Sequence, residues 1–487
     1  MAATNPALVL DDLEAIHSRA EGGDTPEGIL GPYRHQFERH DPGLRAYLEP
    51  AYGRPLADPG PPRATSETPL LLAPFALKDN FALEGTACTC GSNVLKDFRP
   101  AYTATVVQRL LTAGALCVGK TNLDEFAMGS STEFSAFGAT RNPWDPTRTA
   151  GGSSGGSAVA VAAGMAAFAL GSDTGGSVRQ PAAFTGIVGF KPSYGRYSRY
   201  GLVAFASSLD HPSTFTRTVR DTARLYQVMA GPDPLDATTL PAPGPLPANL
   251  WEWDGAQGLR VGILKQCTAA GLDPDVAAGY ARTRELFTAA GAEIVELDCP
   301  VMDQAVSVYY VIAPAEASSN LARYDGIRFG PSAGRSAHQS LEDYYGQVRT
   351  AGFGPEVTRR ILTGTFVLSS GYYDAYYLKA SQIRALFQRQ YADFFTQVDI
   401  ILLPTTPTLP FKLGEKVDDP VAMYLNDLFT IPANLTGAPA LSLPVGWSDA
   451  GLPVGMQLMT KRLDEETLFR VAHWLESRLG FTPRLPN

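Results

Sequence analysis

The chain has 487 residues, of which 45% are hydrophobic and 18% are charged, and its formal net charge at pH 7 is −9. A chain of this length can build a large hydrophobic core. The negative charge argues against a broad nucleic-acid-binding face and gives no attraction to anionic membranes.

The N-terminus and the cysteines favour a cytoplasmic protein. The first residues lack a basic segment and carry acids where a signal peptide would be apolar. The longest nearly charge-free stretch, residues 158–170, is shorter than the roughly 20 residues that cross a bilayer, and we interpret it as a buried helix. The five cysteines are odd in number and show no Cys-x-x-Cys spacing.

Apolar patterns along the chain predict an α/β architecture. Residues 8–20 have the pattern of an amphipathic helix, and residues 51–69, rich in Pro and Gly, predict a surface crossing. Runs that predict strands then alternate with helical patterns, which favours a sheet covered by helices on both faces and leaves strand direction open. These runs are residues 70–77, 115–119, 259–264, 293–297 and 398–403.

The second half of the chain predicts one long connection and one helical insertion. Residues 232–248 are rich in Pro and Ala and predict a long excursion before the later strands. Residues 303–397 are mostly helical in pattern and carry paired tyrosines, so we expect this insertion to face substrate or a partner. We predict a single domain over 1–487, divided into a helical segment (1–64), a core (65–230), the insertion (303–397) and a C-terminal part of the core (398–487).

A lysine and two serines predict the chemistry. They lie in Phe75-Ala-Leu-Lys78-Asp-Asn80, in Gly151-Gly-Ser153-Ser-Gly-Gly-Ser157 and in Gly171-Ser-Asp-Thr-Gly-Gly-Ser177. A serine hydroxyl is a weak nucleophile unless a base removes its proton, and a lysine is such a base only when burial lowers its pKa. Because Lys78 follows an apolar run, we expect it to be desolvated. The pattern indicates a serine nucleophile activated by lysine.

The glycine-rich segments also predict an oxyanion-binding turn. Glycine permits the close backbone approach that presents N–H groups to a developing negative charge, and we select Thr174, Gly175 and Gly176, with Ser177, as donors. An isolated Gly-Gly-Ser cluster is more often a plain loop or linker. Here two clusters bracket residues 158–170, which argues against a linker, and no Gly-x-x-x-x-Gly-Lys-[Ser/Thr] phosphate loop is present.

The histidines predict no metal site, because they show no short His-x-x-x-His spacing or acidic companions. We expect surface or packing roles for them, and we note His211 because it follows the glycine-rich segments closely. The six are His17, His35, His40, His211, His338 and His473.

Residues 78–192 closely resemble the amidase signature family. The resemblance implies a Ser–cis-Ser–Lys triad: Ser177 is the acylated nucleophile, Ser153 is the bridging serine with a cis peptide bond, and Lys78 is the general base. It further implies the amidase signature fold, a central mixed β-sheet covered by helices on both faces, with a helical insertion.

Residues 309–329, 359–377 and 423–434 resemble one branch of that family, the A subunits of aspartyl/glutamyl-tRNA amidotransferases. The resemblance implies that glutamine is the amide donor, that Arg360 binds its α-carboxylate and that Asp427 binds its α-ammonium group. An arginine fork suits a carboxylate by its bidentate geometry.

In this resemblance Tyr309 lines the glutamine pocket. Considered singly, Arg360 is more typical of a surface arginine and Asp427 of a turn or cap residue, because exposed charges are the rule, and the match to the family reverses that preference. Arg359, adjacent in the chain, is the alternative to Arg360.

The same resemblance implies partners for this chain. Ammonia passes through an internal tunnel to a partner subunit, which activates the tRNA-linked carboxylate with ATP. We therefore expect a heterotrimer with B and C subunits, mischarged tRNA bound through the partner, and ATP and Mg²⁺ at the partner. We expect no cofactor in this chain, which carries no ATP motif.

Three further residues or segments bear on this interpretation. Glu125 and Ser130 are candidates for lining the ammonia exit, with capping or turn roles as the alternative. Residues 207–216 depart from the family's usual Asp-x-x-Gly-Pro pattern after Asp210, so we expect a rearranged loop beside the active site.

Two alternative functions stay open. A free-standing amidase of the same family would act on small or aryl amides, and apolar residues in place of Arg360 and Asp427 would indicate it. A non-catalytic scaffold is disfavoured because Lys78, Ser153 and Ser177 are all present.

Overall fold

The computed structural model describes residues 9–52, 68–269, 271–331, 339–481 and 483–486. Eleven strands of this part of the chain form one sheet in the order β1-β3-β2-β4-β6-β5-β10-β11-β9-β7-β8. The strands are β1 Tyr47–Pro50, β2 Pro74–Lys78, β3 Leu116–Thr121, β4 Phe168–Asp173, β5 Val188–Lys191, β6 His211–Thr216, β7 Arg260–Leu264, β8 Glu293–Leu297, β9 Ile400–Pro404, β10 Ala440–Trp447 and β11 Pro453–Met459.

The sheet is mixed, as the family resemblance implied. Strand β2 runs parallel to both β3 and β4, and β7 runs parallel to both β8 and β9. The strands between these two groups pair antiparallel. Every residue of β2, β3, β4, β6, β9 and β11 is buried, so both faces of the sheet are covered, and the predicted α/β architecture is confirmed.

The described residues contain fifteen α-helices. They are α1 Leu13–Glu21, α2 Pro26–Leu44, α3 Thr105–Thr112, α4 Gly155–Ala162, α5 Arg179–Thr185, α6 Val219–Met229, α7 Lys265–Ala269, α8 Pro274–Ala289, α9 Ala305–Asn320, α10 Leu341–Gly352, α11 Pro355–Leu368, α12 Lys379–Gln397, α13 Pro420–Tyr424, α14 Ile431–Thr436 and α15 Glu465–Leu479. Among the described residues, no helix is long and apolar enough to span a membrane.

Most of the predicted elements are confirmed. Four of the five apolar runs are strands β3, β7, β8 and β9, and the insertion consists mainly of α9 to α12. Helix α1 matches the first predicted helix, whose start at residue 8 lies outside the described residues, as does most of the crossing at 51–69. Strand β1 lies within the segment 1–64 that we predicted to be helical.

The predicted strand over residues 70–77 is wrong in its first half. Leu72 has a φ of 60°, and its N–H bonds to the carbonyl of Gly114, so the chain turns here instead of extending. Strand β2 begins only at Pro74, where the chain enters the sheet between β3 and β4.

The buried helix predicted over residues 158–170 is also only half right. Helix α4 ends at Ala162, and Gly164, with a φ of 69°, makes the left-handed turn that stops it. Phe168 onward then forms β4, which pairs with β2 and β6. A short run of small apolar residues suits a buried helix and a buried strand equally, so its periodicity did not separate the two.

The segment after Asp210 is a strand and not the rearranged loop that we expected. Residues 211–216 form β6, which pairs antiparallel with β4 and with β5. Pro212, which has no N–H to donate, pairs with Ser172 of β4 but lies beyond the pairing with β5.

Candidate active site

Lys78 lies at the carboxyl end of β2, and residues 172–177 follow from the carboxyl end of β4. Because these strands are parallel and adjacent, both ends lie at the same edge of the sheet. Lys78 is fully buried, and its Nζ lies 2.8 Å from Ser153 Oγ, 2.8 Å from Ser154 Oγ and 2.9 Å from Ser172 Oγ. The predicted base and bridging serine are therefore in direct contact.

The electrostatic surroundings of Lys78 suit a base. Burial lowers the pKa of its ammonium group to about 7, against the opposing influence of Asp124, Asp173 and Asp210. At neutral pH a substantial fraction of the side chain is the free amine, the form that accepts a proton.

The segments that carry Ser153 and Ser177 are joined through the backbone, and among the described residues no hydrogen bond links the two hydroxyls. The Gly152–Ser153 peptide bond is cis, as the family resemblance implied. The N–H of Ser154 donates to the Ser177 carbonyl at 3.2 Å, which ties the two serine segments to each other. Ser177 is 7% exposed whereas Lys78 and Ser153 are 0% exposed, so the predicted nucleophile is the triad member with access from outside.

Residues 174–177 form a tight turn with free backbone donors. The hydrogen bonds among the described residues provide no acceptor for the N–H groups of these four residues. Gly176 has a φ of 140°, and a Cβ there would lie 2.2 Å from Thr430 Oγ1, so only glycine fits. N–H groups without a protein acceptor beside a serine are what an oxyanion hole requires.

A buried ion pair between Asp173 and Arg179 fixes the start of this turn. Arg179 donates from Nη2 to Asp173 Oδ1 at 2.9 Å, and both side chains are fully buried. Burial alone would raise the pKa of Asp173, but the Arg179 guanidinium lowers it below its usual range. Asn434 also donates to Asp173 Oδ1, at 2.9 Å, and Arg179 Nε donates to Oδ2 at 3.0 Å. The turn thus begins at a residue whose side chain is fixed on both oxygens.

Asp210 holds the turn from the side of β6. Thr174 Oγ1 donates to Asp210 Oδ1 at 2.7 Å, and the N–H groups of Phe205 and Ala206 donate to the other carboxylate oxygen. Burial raises the pKa of Asp210 to about 6. His211, the next residue, is buried, and its Nδ1 lies 2.5 Å from the Leu209 carbonyl, so its ring contacts the backbone beside the turn.

Arg360 and Arg359 of α11 both pair with the carboxylate of Glu356 but differ in exposure. Arg360 is buried, with its Nε donating to Glu356 Oε1 at 2.8 Å, and its guanidinium lies over the rings of Tyr310 and Tyr424. The side chain of Arg359 is 42% exposed. Of the two candidates, Arg360 is therefore the one that points into the protein.

Asp427 is buried near Arg360 but pairs with a hydroxyl. Ser130 Oγ donates to Asp427 Oδ2 at 2.5 Å. Burial raises the pKa of Asp427 to about 7, and the hydrogen bond from Ser130 and the charge of Arg360 oppose that rise. Within the described ranges Asp427 forms no ion pair, whereas Arg360 is paired with Glu356. The carboxylate of Asp427 therefore still lacks a cation in direct contact.

Tyr309 lies between Arg360 and Asp427 on one side and the turn at residues 174–177 on the other. A Cβ on Gly175 would lie 2.7 Å from Cζ of Tyr309, so the phenol ring packs directly on the turn. Burial raises the pKa of the Tyr309 hydroxyl, the charge of Arg360 lowers it, and the charge of Asp427 raises it further. The three residues predicted for substrate binding thus lie together, beside the predicted oxyanion donors.

Glu125 occupies a capping position. Its Oε2 accepts a hydrogen bond of 2.8 Å from the N–H of Gly354, the N-cap residue of α11, and Ser92 donates to its other oxygen. Burial raises the pKa of Glu125 to about 7. This geometry matches the capping alternative, and the ammonia-exit role of Glu125 and Ser130 stays a prediction.

Several residues of the site were not predicted from the sequence. Ser154 and Ser172 lie inside the glycine-rich segments, and Asn80 lies two residues beyond Lys78. Residues two apart in an extended chain share one face, so this spacing could have indicated that Asn80 lies near Lys78. Glu356 lies four residues before Arg360 on one helix, the spacing at which side chains meet. Tyr424 had no signal of its own, since only the tertiary structure brings it against Arg360.

Within the described part of the chain, the cysteines and acids outside the site do not form a second candidate site. All five cysteines are buried and free. In the ranges that the structure describes, no group of three or more His, Cys, Asp or Glu side chains could hold a metal ion.

Sequence comparison finds the same family along nearly the whole chain. The profile of the Amidase family matches residues 31–469. The A subunit of glutamyl-tRNA(Gln) amidotransferase from Synechococcus sp. (strain CC9605) is 52% identical over 454 residues, 92% of this chain and of the relative. The protein of the same name from Gloeobacter violaceus (strain ATCC 29082 / PCC 7421) is 50% identical over 463 residues, 94% of each.

Solved structures share the fold. The crystal structure of the glutamyl-tRNA(Gln) amidotransferase A subunit from Thermotoga maritima matches with a TM-score of 0.83 and 39% identity, covering 99% of this chain and 98% of that one. A 6-aminohexanoate cyclic dimer hydrolase matches with a TM-score of 0.82 and 27% identity, covering 98% and 99%. The fold alone therefore does not separate the two activities, whereas sequence identity does.

Proposed function

This chain belongs to the amidase family, and on that premise we propose that it hydrolyses glutamine as the A subunit of a glutamyl-tRNA(Gln) amidotransferase. The observation that carries the proposal is the pair of opposite charges, Arg360 and Asp427, buried beside Tyr309 and the turn at 174–177. A free amino acid presents one carboxylate and one ammonium group, which suit the outer guanidinium nitrogens of Arg360 and the carboxylate of Asp427, which forms no ion pair within the described residues.

The triad performs the first half of the reaction. Lys78, acting through Ser153, takes the hydroxyl proton of Ser177 as Ser177 Oγ attacks the side-chain carbonyl carbon of glutamine. The N–H groups of Thr174, Gly175, Gly176 and Ser177 stabilise the oxyanion. The carbon–nitrogen bond then breaks, the proton passes to the nitrogen, and ammonia leaves a γ-glutamyl ester on Ser177.

Water completes the cycle by hydrolysing the ester to glutamate, with Lys78 again receiving the proton through Ser153. The ammonia is used by the partner B subunit, where ATP and Mg²⁺ activate the carboxylate of the tRNA-linked amino acid. A C subunit completes the heterotrimer, and mischarged tRNA reaches the complex through the partner. No cofactor is assigned to this chain, and Glu125 and Ser130 stay candidates for lining the ammonia exit.

The test is a glutaminase assay of the purified chain, alone and co-expressed with the B and C subunits, with and without ATP and mischarged tRNA. We expect glutamate release that rises when partners and tRNA are present. Rapid hydrolysis of simple amides by the chain alone, with no preference for glutamine, would establish the free-standing amidase instead.

We propose further that the outer side of the helical insertion binds the partner subunits. Leu362, Phe366, Tyr372 and Tyr376 are 43–65% exposed, and the ring of Phe366 lies 4.4 Å from that of Tyr372 and 6.0 Å from that of Tyr376. Clustered exposed aromatic residues are typical of protein–protein interfaces. The same helix, α11, carries the buried Arg360, so a partner here would contact the helix that binds glutamine.

Charges in this aromatic cluster should prevent assembly. The double substitution Phe366→Asp and Tyr376→Asp is expected to weaken association by at least about 30-fold, because buried aromatic anchors dominate interface energies. Copurification and analytical ultracentrifugation measure the loss. Leu235→Asp is the matched control, since Leu235 is 61% exposed in the connection between α6 and β7. Equal assembly of both variants would refute this interface.

A further inference from the structure

Three hydroxyl groups surround the Lys78 amine, but only that of Ser153 belongs to the proposed proton path. Ser154 and Ser172 contact Nζ at 2.8 Å and 2.9 Å, and both are buried. A neutral amine has two N–H donors and one lone pair, so two of its three neighbours must accept and one must face the lone pair. Which neighbour faces the lone pair decides whether Lys78 can act as a base toward Ser153.

The hydroxyl of Ser154 is already engaged as a donor. It donates to the Ser172 carbonyl at 3.2 Å, so toward Lys78 it presents a lone pair and accepts an N–H. Ser172 is held by a different group, because Asn80 Nδ2 donates to Ser172 Oγ at 2.9 Å. Asn80 is 2% exposed, and its own backbone carbonyl accepts a hydrogen bond from the N–H of Val203.

We propose that Asn80 and Ser172 are positioning residues that hold the Lys78 amine so that its lone pair faces Ser153. The two lone pairs of Ser172 Oγ accept one hydrogen from Asn80 and one from Lys78. With the second N–H of Lys78 given to Ser154, the remaining tetrahedral direction points at Ser153. This inference rests on the proposed role of Lys78 as the base.

The arrangement also determines how readily Lys78 gives up its proton. When Lys78 is an ammonium group, Ser172 accepts a hydrogen bond from it and so stabilises the charged form. Loss of the Ser172 hydroxyl should therefore lower the pKa of Lys78, and a carboxylate at position 80 should raise it. The other ionisable groups that act on Lys78 are Asp124, Asp173, Asp210 and Cys90, which are the same in every variant.

The test is the pH dependence of kcat for glutamine hydrolysis by the assembled complex. In the unsubstituted protein kcat should rise with pH through an acid limb near pH 7, as Lys78 loses its proton. Ser172→Ala should move this limb to lower pH by about one unit, since a hydrogen bond to the charged form of Lys78 is lost. It should also reduce the plateau about tenfold, because the neutral amine is no longer held with its lone pair toward Ser153. Asn80→Asp should move the limb to higher pH, and Ser172→Thr, which restores the hydroxyl, should return it.

Opposite shifts of the limb support the proposal, because a general loss of stability would not move it in two directions. An unmoved limb in both Ser172→Ala and Asn80→Asp, or a shift of the same sign in both, would overturn it. Ammonia-supported amidation by the same complexes verifies that each variant is folded and assembled. If Ser172→Ala does not fold, the position of the acid limb in Asn80→Asp and in Ser172→Thr tests the proposal. Absence of glutaminase activity in the unsubstituted complex would instead refute the proposed function.

Discussion

Substitution of Ser177 by alanine is expected to abolish glutamine hydrolysis while amidation supported by free ammonia continues in the assembled complex. The hydroxyl is the nucleophile that attacks glutamine in the proposed mechanism, so its loss should reduce glutamate release by at least about 10³-fold. Glutamate release and amidation of the tRNA-linked amino acid, measured separately with glutamine and with ammonium chloride, report the two activities.

Ser213→Ala is the matched control for this experiment. Ser213 is fully buried in β6 and its hydroxyl donates to the His211 carbonyl, outside the proton path. Its substitution tests whether loss of a buried hydroxyl near the site is by itself damaging. If Ser177→Ala lost both the glutamine-dependent and the ammonia-dependent activity, Ser177 would be a structural residue and not the nucleophile.

Substitution of Arg360 by alanine should raise the KM for glutamine about 10²-fold, with a smaller fall in kcat. Arg360 is buried and its Nε is occupied by Glu356, which leaves the outer guanidinium nitrogens for a carboxylate. Removing a buried partner of a charge costs on the order of 2–5 kcal/mol, which corresponds to this range of affinity. Steady-state kinetics over a wide range of glutamine concentrations measure the change.

Arg359→Ala provides the control for Arg360, because the two residues are adjacent on α11 and both pair with Glu356, whereas the side chain of Arg359 is 42% exposed and that of Arg360 is 3% exposed. We expect Arg359→Ala to leave the KM for glutamine within about twofold, as is usual for an exposed charge. A KM that is unchanged in Arg360→Ala, or raised equally in both variants, would remove Arg360 from the glutamine pocket.

The proposed triad could be named from the sequence because its chemistry needs rare local features. Lys78 follows a run of apolar residues, and Ser153 and Ser177 stand in glycine-rich segments that leave backbone N–H groups accessible. Local patterns of this kind gave wrong secondary-structure predictions where the local structure depends on pairing with distant segments. Residues 168–170 became part of β4, because β2 and β6 were available on either side to complete its hydrogen bonds.

The amino-acid sequence by itself determined the family and the α/β class and made Lys78, Ser153 and Ser177 the candidate catalytic residues, because these inferences depend on motifs and local periodicity. Only the tertiary structure decided that Arg360 is buried while Arg359 is partly exposed, and that Asn80 and Ser172 form the hydrogen-bonded chain to the Lys78 amine. The physical reason is that burial and hydrogen bonding depend on the packing of α11 and on the alignment of β2 with β4. That packing brings together residues far apart in the chain.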